Sequence, residues 1–411
     1  MNKTFKSAAM AFLLCGGSFA ALTAATPVLA VEAPEGVDTE ISDEVAELYS
    51  DAAEAFQEDM DFPAAHGFLA EARALPELTL WEIYTIEILD FQLFLQEQNL
   101  EQAAARFNAA YDTGVLPQED KERFLRIATL VNQADRARAI MYGTEAVNYP
   151  GWDDTNDQVL ANAYYFSGDL PGAEAFAQSV VARKEAAGMK PTIEILTVLH
   201  AAQQEQGKEA EAQQTAGQIA IVDPTPQNWA RVVDYGFMAP GLSDRQLLNL
   251  YRLRRETNAM EGGDYAAMAN LAYDMGLAAE AKSALEEGIA AGKLNAAELG
   301  TALTDATASS NEAEAGLTEF ATVAAGAANG DAQIQYGETL FALGRAAEAE
   351  AAIRAGIAKG GLQDAADVQV LLGIVLLEQG KKAEAQAAFQ QASQSPAMVP
   401  VSSAWTLYAS M

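Results

Sequence analysis

The strongest constraint on this chain is a repeat. Two stretches in its last eighty residues overlay without gaps: QYGETLFALGRAAEAEAAIRAGIAKGG, starting at Gln335, and VLLGIVLLEQGKKAEAQAAFQQASQSP, ending at Pro396. Gly337 matches Gly373, Gly344 matches Gly380, Ala349 matches Ala385 and Ile353 matches Phe389, each pair 36 residues apart. A fixed period of this length, with small residues flanking large ones, marks stacked helical hairpins. Gly344 and Gly380 fall where a first helix must end, in a left-handed conformation glycine adopts at little cost. Ala349 and Ala385 then face the first helix, and a methyl group lets two helix backbones approach to about 8 Å. Ile353 and Phe389, four residues on, share that face and fill the space between neighbouring hairpins. A single hairpin cannot bury its apolar side alone, so the pattern requires an array.

Counting the alanine that heads each second helix traces the array through the chain. The series runs Ala65, Ala103, Ala137, Ala173, Ala212, Ala281, Ala313 or Ala315, Ala349 and Ala385. The step from Ala212 to Ala281 is nearly twice the period and hides one further unit. Trp229 and Val232 mark its first helix, Leu247, Leu248 and Tyr251 its second, and Ser243 the N-cap between them. The expected fold is therefore all-α, an α-solenoid of about ten hairpins. Trp405, Leu407 and Tyr408 should form a C-terminal helix that caps the last apolar face. Residues 31–42, acidic with Pro34 and Gly36, read as a flexible lead-in. A bend at the degenerate unit places a boundary near Pro224, giving arrays over 43–224 and 225–411.

Residues 1–30 read as an export signal. Lys3 and Lys6 form a basic start, Ala8 to Leu14 begin an apolar run, and Val28-Leu29-Ala30 offers small residues for cleavage before Val31. Bulky Leu14 before Cys15 argues against lipidation, and Gly16, Gly17 and Pro27 make the run a poor membrane anchor. The mature chain is then periplasmic and lacks thiols, because Cys15 is the one cysteine. Only His66 and His200 could supply imidazole, so neither a metal site nor a cofactor is expected. No catalytic motif is present, and an enzyme is not expected. Paired acids such as Glu209/Glu211, Glu286/Glu287 and Glu348/Glu350 read as solvated faces in a chain of net charge −33. That charge also disfavours nucleic acid and anionic lipid.

The repeat resembles the tetratricopeptide repeat (TPR), in which fixed positions on each first helix line a concave groove. Carried back from Ala173, the resemblance assigns to that groove Thr155, Gln158, Asn162 and Tyr165. From Ala212 it assigns Glu194, Thr197, Ala201 and Gln204, and from Ala281 Asn270 and Tyr273. Asn162 and Asn270 share the register position where TPR domains that grip peptide main chain carry asparagine. Gln158 and Ala266 stand where a carboxylate clamp would have lysine. Against the acidic background, Arg245, Arg252, Arg254 and Arg255 cluster in the degenerate unit, and Arg252 with Arg255 could meet an acidic partner.

The stretches NWARVVDYGFMAPGLSDRQLLNLYRLR and DYAAMANLAYDMGLAAEAKSALEEGIAAG, with the terminal AWTLY, are similar to exported TPR proteins of Gram-negative bacteria. Genes for those proteins often accompany TonB, ExbB and ExbD. The resemblance implies a periplasmic scaffold serving TonB-dependent outer-membrane transport, with Ton components or transporters as partners. A periplasmic chaperone for envelope proteins and an enzyme acting on cell-wall glycans stay open as rivals; the latter needs two converging carboxylates.

Overall fold

A computed structural model describes residues 34–411. Residues 1–30, read from the sequence as an export signal, with Cys15 and the expected cleavage before Val31, lie outside the described residues. Among the described residues there are twenty-one α-helices and no strand, so the protein is an all-α solenoid of successive hairpins. It divides into two compact units, one ending at Ala173 and the other covering Glu174–Met411.

The first unit contains α1 (Asp43–Asp59), α2 (Phe62–Arg73), α3 (Leu80–Gln96), α4 (Leu100–Asp112), α5 (Gln118–Val131), α6 (Arg136–Ala146) and α7 (Asp154–Ser167). Its centre is α3, started by a reciprocal Thr79–Glu82 capping box and buried along most of its length. Phe91 of α3 meets Phe107 and Phe124 at ring-centroid distances of 5.1 and 5.6 Å. The lead-in is partly pinned rather than loose. Val37 and Ile41 pack on this core, and Ser42 donates from N and Oγ to Glu82 at 2.9 and 2.7 Å.

The division falls inside α8 (Leu170–Ala186). The second unit continues with α9 (Ile193–Glu205), α10 (Glu209–Val222), α11 (Pro226–Phe237), α12 (Asp244–Glu256), α13 (Gly262–Asp274) and α14 (Ala278–Ala290). It ends with α15 (Gly300–Ala315), α16 (Leu317–Gly326), α17 (Asp331–Ala342), α18 (Ala346–Lys359), α19 (Ala365–Glu378), α20 (Lys382–Ala392) and α21 (Val399–Ala409). The boundary expected at Pro224 is displaced because α10 packs onto helices beyond it: Gly217 faces Leu407 of α21.

One local rule sets the hairpins. The second helices begin at N-caps Asp61, Asn99, Asp135, Lys208, Leu277, Arg345 and Lys381. Four residues on stand Ala65, Ala103, Ala139, Ala212, Ala281, Ala349 and Ala385, all 0–1 % exposed. Each donates the first backbone bond of its helix to the N-cap carbonyl, as Ala385 does to Lys381 at 3.0 Å. This corrects Ala137, which is exposed; the packed residue is Ala139. It also corrects Ala313 and Ala315, which end the first helix of their pair; the second starts at Leu317, after a break at Gly316. Where the position four past the N-cap is Leu247 or Phe320, the two helices of the pair touch far less. There Leu250, not Leu247, packs on Gly236 of α11, and the Phe320 ring turns to Tyr336 of α17 at 5.5 Å.

The repeated glycines have two separate jobs. Gly344 and Gly380 end first helices with φ of +76° and +73°. Gly337 and Gly373 instead lie under the large residue of their own hairpin: a Cβ on Gly337 would sit 2.7 Å from Ile353 Cγ1, and one on Gly373 would overlap the ring of Phe389. Ile353 and Phe389 therefore fill the inside of their own hairpins as well as facing the next.

The C-terminal helix does more than cap the last hairpin. Trp405 of α21 stacks on Phe389 at 5.8 Å and also donates its indole N–H to the carbonyl of Asn249 in α12 at 3.0 Å. Tyr408 meets Trp229 of α11 edge-on at 5.6 Å, and Gln246 donates to the carbonyl of Ala397 at 3.0 Å. The second unit thus closes its last helix onto helices about 150 residues earlier.

These contacts predict opposite outcomes for two alanines only two positions apart. Ala139→Leu should lower stability by about 1–3 kcal/mol through overpacking, while Ala137→Leu should stay within about 0.5 kcal/mol. Gly373→Ala should behave like Ala139→Leu. Urea titrations followed by circular dichroism read all three, and equal stability of the two leucine variants would refute the N-cap register.

Candidate functional site

The groove register assigned from the first helices separates into an open and an occupied part. On α7, Gln158, Asn162 and Tyr165 are half-buried. On α9, Glu194, Thr197 and Ala201 are half-buried and Gln204 is exposed, its amide donating to the Tyr235 hydroxyl at 3.0 Å. On α13, Asn270 and Tyr273 are exposed, with the Tyr273 hydroxyl 3.3 Å from Ser309 Oγ. Gln158, Asn162, Glu194 and Asn270 have no side-chain hydrogen bond among the described residues. Polar groups left this way on a partly covered face are available to a ligand.

The same offsets carried back from Ala349 and Ala385 select Glu338 and Phe341 on α17, and Asp367, Ile374 and Leu377 on α19. These positions were legible from the repeat, but their role was not, because other helices of the same unit cover them. Arg252 of α12 is 1 % exposed and Glu338 and Asp367 are 2 % exposed. Arg252 grips Glu280 through Nε at 2.8 Å and Nη2 at 2.5 Å, reaches Glu338 at 3.4 Å, and lies 5.5 Å over the Phe341 ring. Arg245 bonds Glu338 at 3.1 Å and approaches Asp367 at 3.5 Å. Asn249 accepts from Arg252 at 2.8 Å and donates to Asp367 at 3.4 Å.

Arg252 is therefore not a contact for an outside partner. Its guanidinium fills the groove of the last hairpins from within. A protein this acidic places its scarce arginines where buried carboxylates need them. Arg254 is likewise spent, on Asp234 and Asp264 at 2.6 and 3.0 Å. Arg255 alone of the four is half-buried without an ion pair.

The electrostatics of the cluster follow from its composition, three carboxylates against two guanidiniums. Burial works against the charge of Glu280, but Arg252 holds it below the usual carboxylate range. Asp367 has the weaker pairing: burial, with Glu338 and Asp364 nearby, outweighs Arg245 and pushes it up to about 7.

The two histidines are held structurally. His66 stacks on Phe94 at 4.0 Å, with its ring nitrogens 2.5 Å from Asp90 and 2.9 Å from Glu97. Arg73 and Arg106 complete that cluster by pairing with Glu87. His200 is pushed down to about 4 by burial and by Arg231, and its Nε2 lies 3.0 Å from the Tyr235 hydroxyl. Among the described residues no group of three His, Cys, Asp or Glu could hold a metal ion, and no helix is long and apolar enough to cross a membrane. Glu209 and Glu211 are solvated as expected, whereas Glu348 and Glu350 are each bound to cations, Arg345 for the first, Arg354 and Lys381 for the second.

No known protein-family profile matches the chain, and no curated protein is similar to it in sequence. Among solved structures it is similar to a tetratricopeptide repeat protein from Parabacteroides merdae, at 14 % identity and a TM-score of 0.28, over 71 % of this chain and 100 % of that one. It is also similar to a chain of the APC/C hetero-tetramer Cut9–Hcn1, at 13 % identity and a TM-score of 0.23, over 93 % and 79 %. The TPR domain of P58(IPK) matches at 9 % identity and a TM-score of 0.23, over 89 % and 98 %. Superposition this loose bears on neither groove nor ligand.

Two consequences can be measured. Arg252→Gln, which strands Glu280 and Glu338, should cost about 3–5 kcal/mol, while Arg255→Gln should leave stability within about 0.5 kcal/mol; chemical denaturation checks both. Asp367 titrates higher when folded than the ~4 of an unfolded aspartate. Its contribution to stability is complete below about pH 4 and is lost as pH rises through about 7. Asp367→Asn should remove that slope, leaving the variant relatively more stable at pH 8 than at pH 5; parallel slopes for the two proteins would contradict the assignment.

Proposed function

We propose that this protein is an exported scaffold whose groove-facing first helices bind protein partners, as an accessory to the TonB system at the Gram-negative envelope. The observation that carries the binding role is the contrast within one register. Gln158, Asn162, Glu194 and Asn270 lack a side-chain hydrogen bond among the described residues, while the equivalent Glu338 of α17 and Asp367 of α19 are already satisfied. Within each unit, polar side chains presented on the first helices suit a segment of a partner. Neutral amides and aromatic rings there favour main-chain recognition over a charged clamp, since Gln158 and Ala266 supply no cation. The Ton assignment and the periplasmic location rest on the sequence resemblance and on the signal-like residues 1–30 alone.

The test is site-specific crosslinking in the native envelope. A photoreactive residue at Tyr165 or at Tyr273 should capture a discrete protein, expected to be a Ton component or an outer-membrane transporter, and the same probe at buried Ile374 should capture none. Many unrelated unfolded clients would instead favour the chaperone reading. Absence of adducts from both tyrosine positions would sink the scaffold role. Intact-mass measurement of the exported chain should give Val31 as its first residue.

A further inference from the structure

The closure of the second unit leaves a cavity of about 280 Å³ between α12, α17, α19, α20 and α21. It lies where the groove of the last two hairpins would be if α12 and α21 did not fill it. Its floor is apolar, formed by the groove positions Phe341, Ile374 and Leu377 and by Trp405. Its charged lining has both signs: besides Arg252, which is already paired with Glu280 and Glu338, Arg255 and Lys382 stand with Glu256 and Glu378.

None of these four charges forms an ion pair or a side-chain hydrogen bond among the described residues. Glu256, Glu378 and Lys382 are exposed at its mouth, and Arg255 is half-buried. Arg245, Arg252 and Arg254, on the same helix as Arg255, are all paired. Tyr408 in the cavity wall is pushed up by burial and then by the carboxylates of both Glu256 and Glu378, and Glu256 feels Arg255 as well as Glu378. An anionic ligand would neutralise Arg255 and Lys382 but leave those carboxylates repelling each other. A cationic ligand would leave the guanidinium and ammonium unmatched. Only a ligand carrying both charges, separated by an apolar body, satisfies the whole lining. The volume lies at the small end for ligand sites, which limits that body to a few residues or their equivalent.

We propose that this cavity binds a short apolar peptide with both termini free, its carboxylate on Arg255 and Lys382, its ammonium on Glu256 and Glu378, and its side chains on Phe341, Leu377 and Trp405. The site is distinct from the groove positions of α7, α9 and α13, so this proposal and the scaffold reading stand or fall separately. A free peptide and the end of a longer protein share the same carboxylate; only the free peptide also brings the ammonium.

The experiment is calorimetric titration of the full chain with Leu-Phe, with its N-acetyl form, with its C-terminal amide and with decanoate. Leu-Phe should bind with one-to-one stoichiometry, and blocking either terminus should weaken it at least tenfold. Arg255→Gln should erase the difference between Leu-Phe and its amide, and Glu378→Gln the difference between Leu-Phe and its N-acetyl form. Lys382 is exposed, so Lys382→Gln provides a second carboxylate-side variant with no packing to disturb, expected to weaken Leu-Phe several-fold. Circular dichroism confirms that each variant is folded. Failure of Leu-Phe to bind at millimolar concentration would overturn the proposal. So would equal binding of the N-acetyl form, which points to a protein C-terminus, equal binding of decanoate, which points to a plain carboxylate, or unchanged discrimination in the variants.

Discussion

The rest of the fold depends on one short-range contact, a methyl group pressed between two helices. At the first backbone hydrogen bond of most second helices stands an alanine with essentially no exposure, from Ala65 to Ala385. Its small size sets the distance between the helices of a pair, and that distance sets the interval at which the next pair can stack. Two pairs inside the second unit are exceptions. Leu247 and Phe320 occupy the same position with far larger side chains, and the α11–α12 and α15–α16 pairs are loosely joined. The glycines under Ile353 and Phe389 extend the principle: the large residue of one helix is admitted because the facing helix has given up its Cβ.

The loose pair at α11–α12 acquires a different set of partners. Trp229 and the Asn249 carbonyl bind α21 at the end of the chain, while Arg245 and Arg252 pair with Glu280, Glu338 and Asp367. A solenoid that ran on without this contact would leave Glu338, Phe341, Asp367 and Ile374 as an open groove. Here Arg252 and Trp405 fill it, and the carboxylates become buried ion-pair partners. Net charge within that cluster is one short of balance. The deficit falls on Asp367, whose protonation is set by burial more than by its arginine. Closure also leaves a cavity where side chains of α12 and α21 do not match the groove they occupy.

Several features are legible without any coordinates. Ser243 heads α12 as the N-cap its sequence suggests, the hidden unit between Ala212 and Ala281 is present, and the hairpins number ten with a helix after them. The corrected positions share a cause. Composition alone favours Ala137 over Ala139 because it cannot place an N-cap when no glycine marks the turn, and Asp135 does so through its side chain. Arg252 reads as a surface cation because a run of arginines on a polar-looking helix gives no sign of carboxylates arriving from α14 and α17, 28 and 86 residues away.

By itself the sequence determined the helical class, the period and the small residues that make hairpins close, because each of these depends on neighbours within one turn of chain. Tertiary structure alone decided which stretches of the groove stay open, since that depends on where α21 lands. A helix of eleven residues carries no local signal for a docking surface assembled from α10, α11, α12, α19 and α20. Its position follows from burying Trp405 against Phe389 on one side and the Asn249 carbonyl on the other, a choice made by contacts that exist only once both ends of the unit have folded.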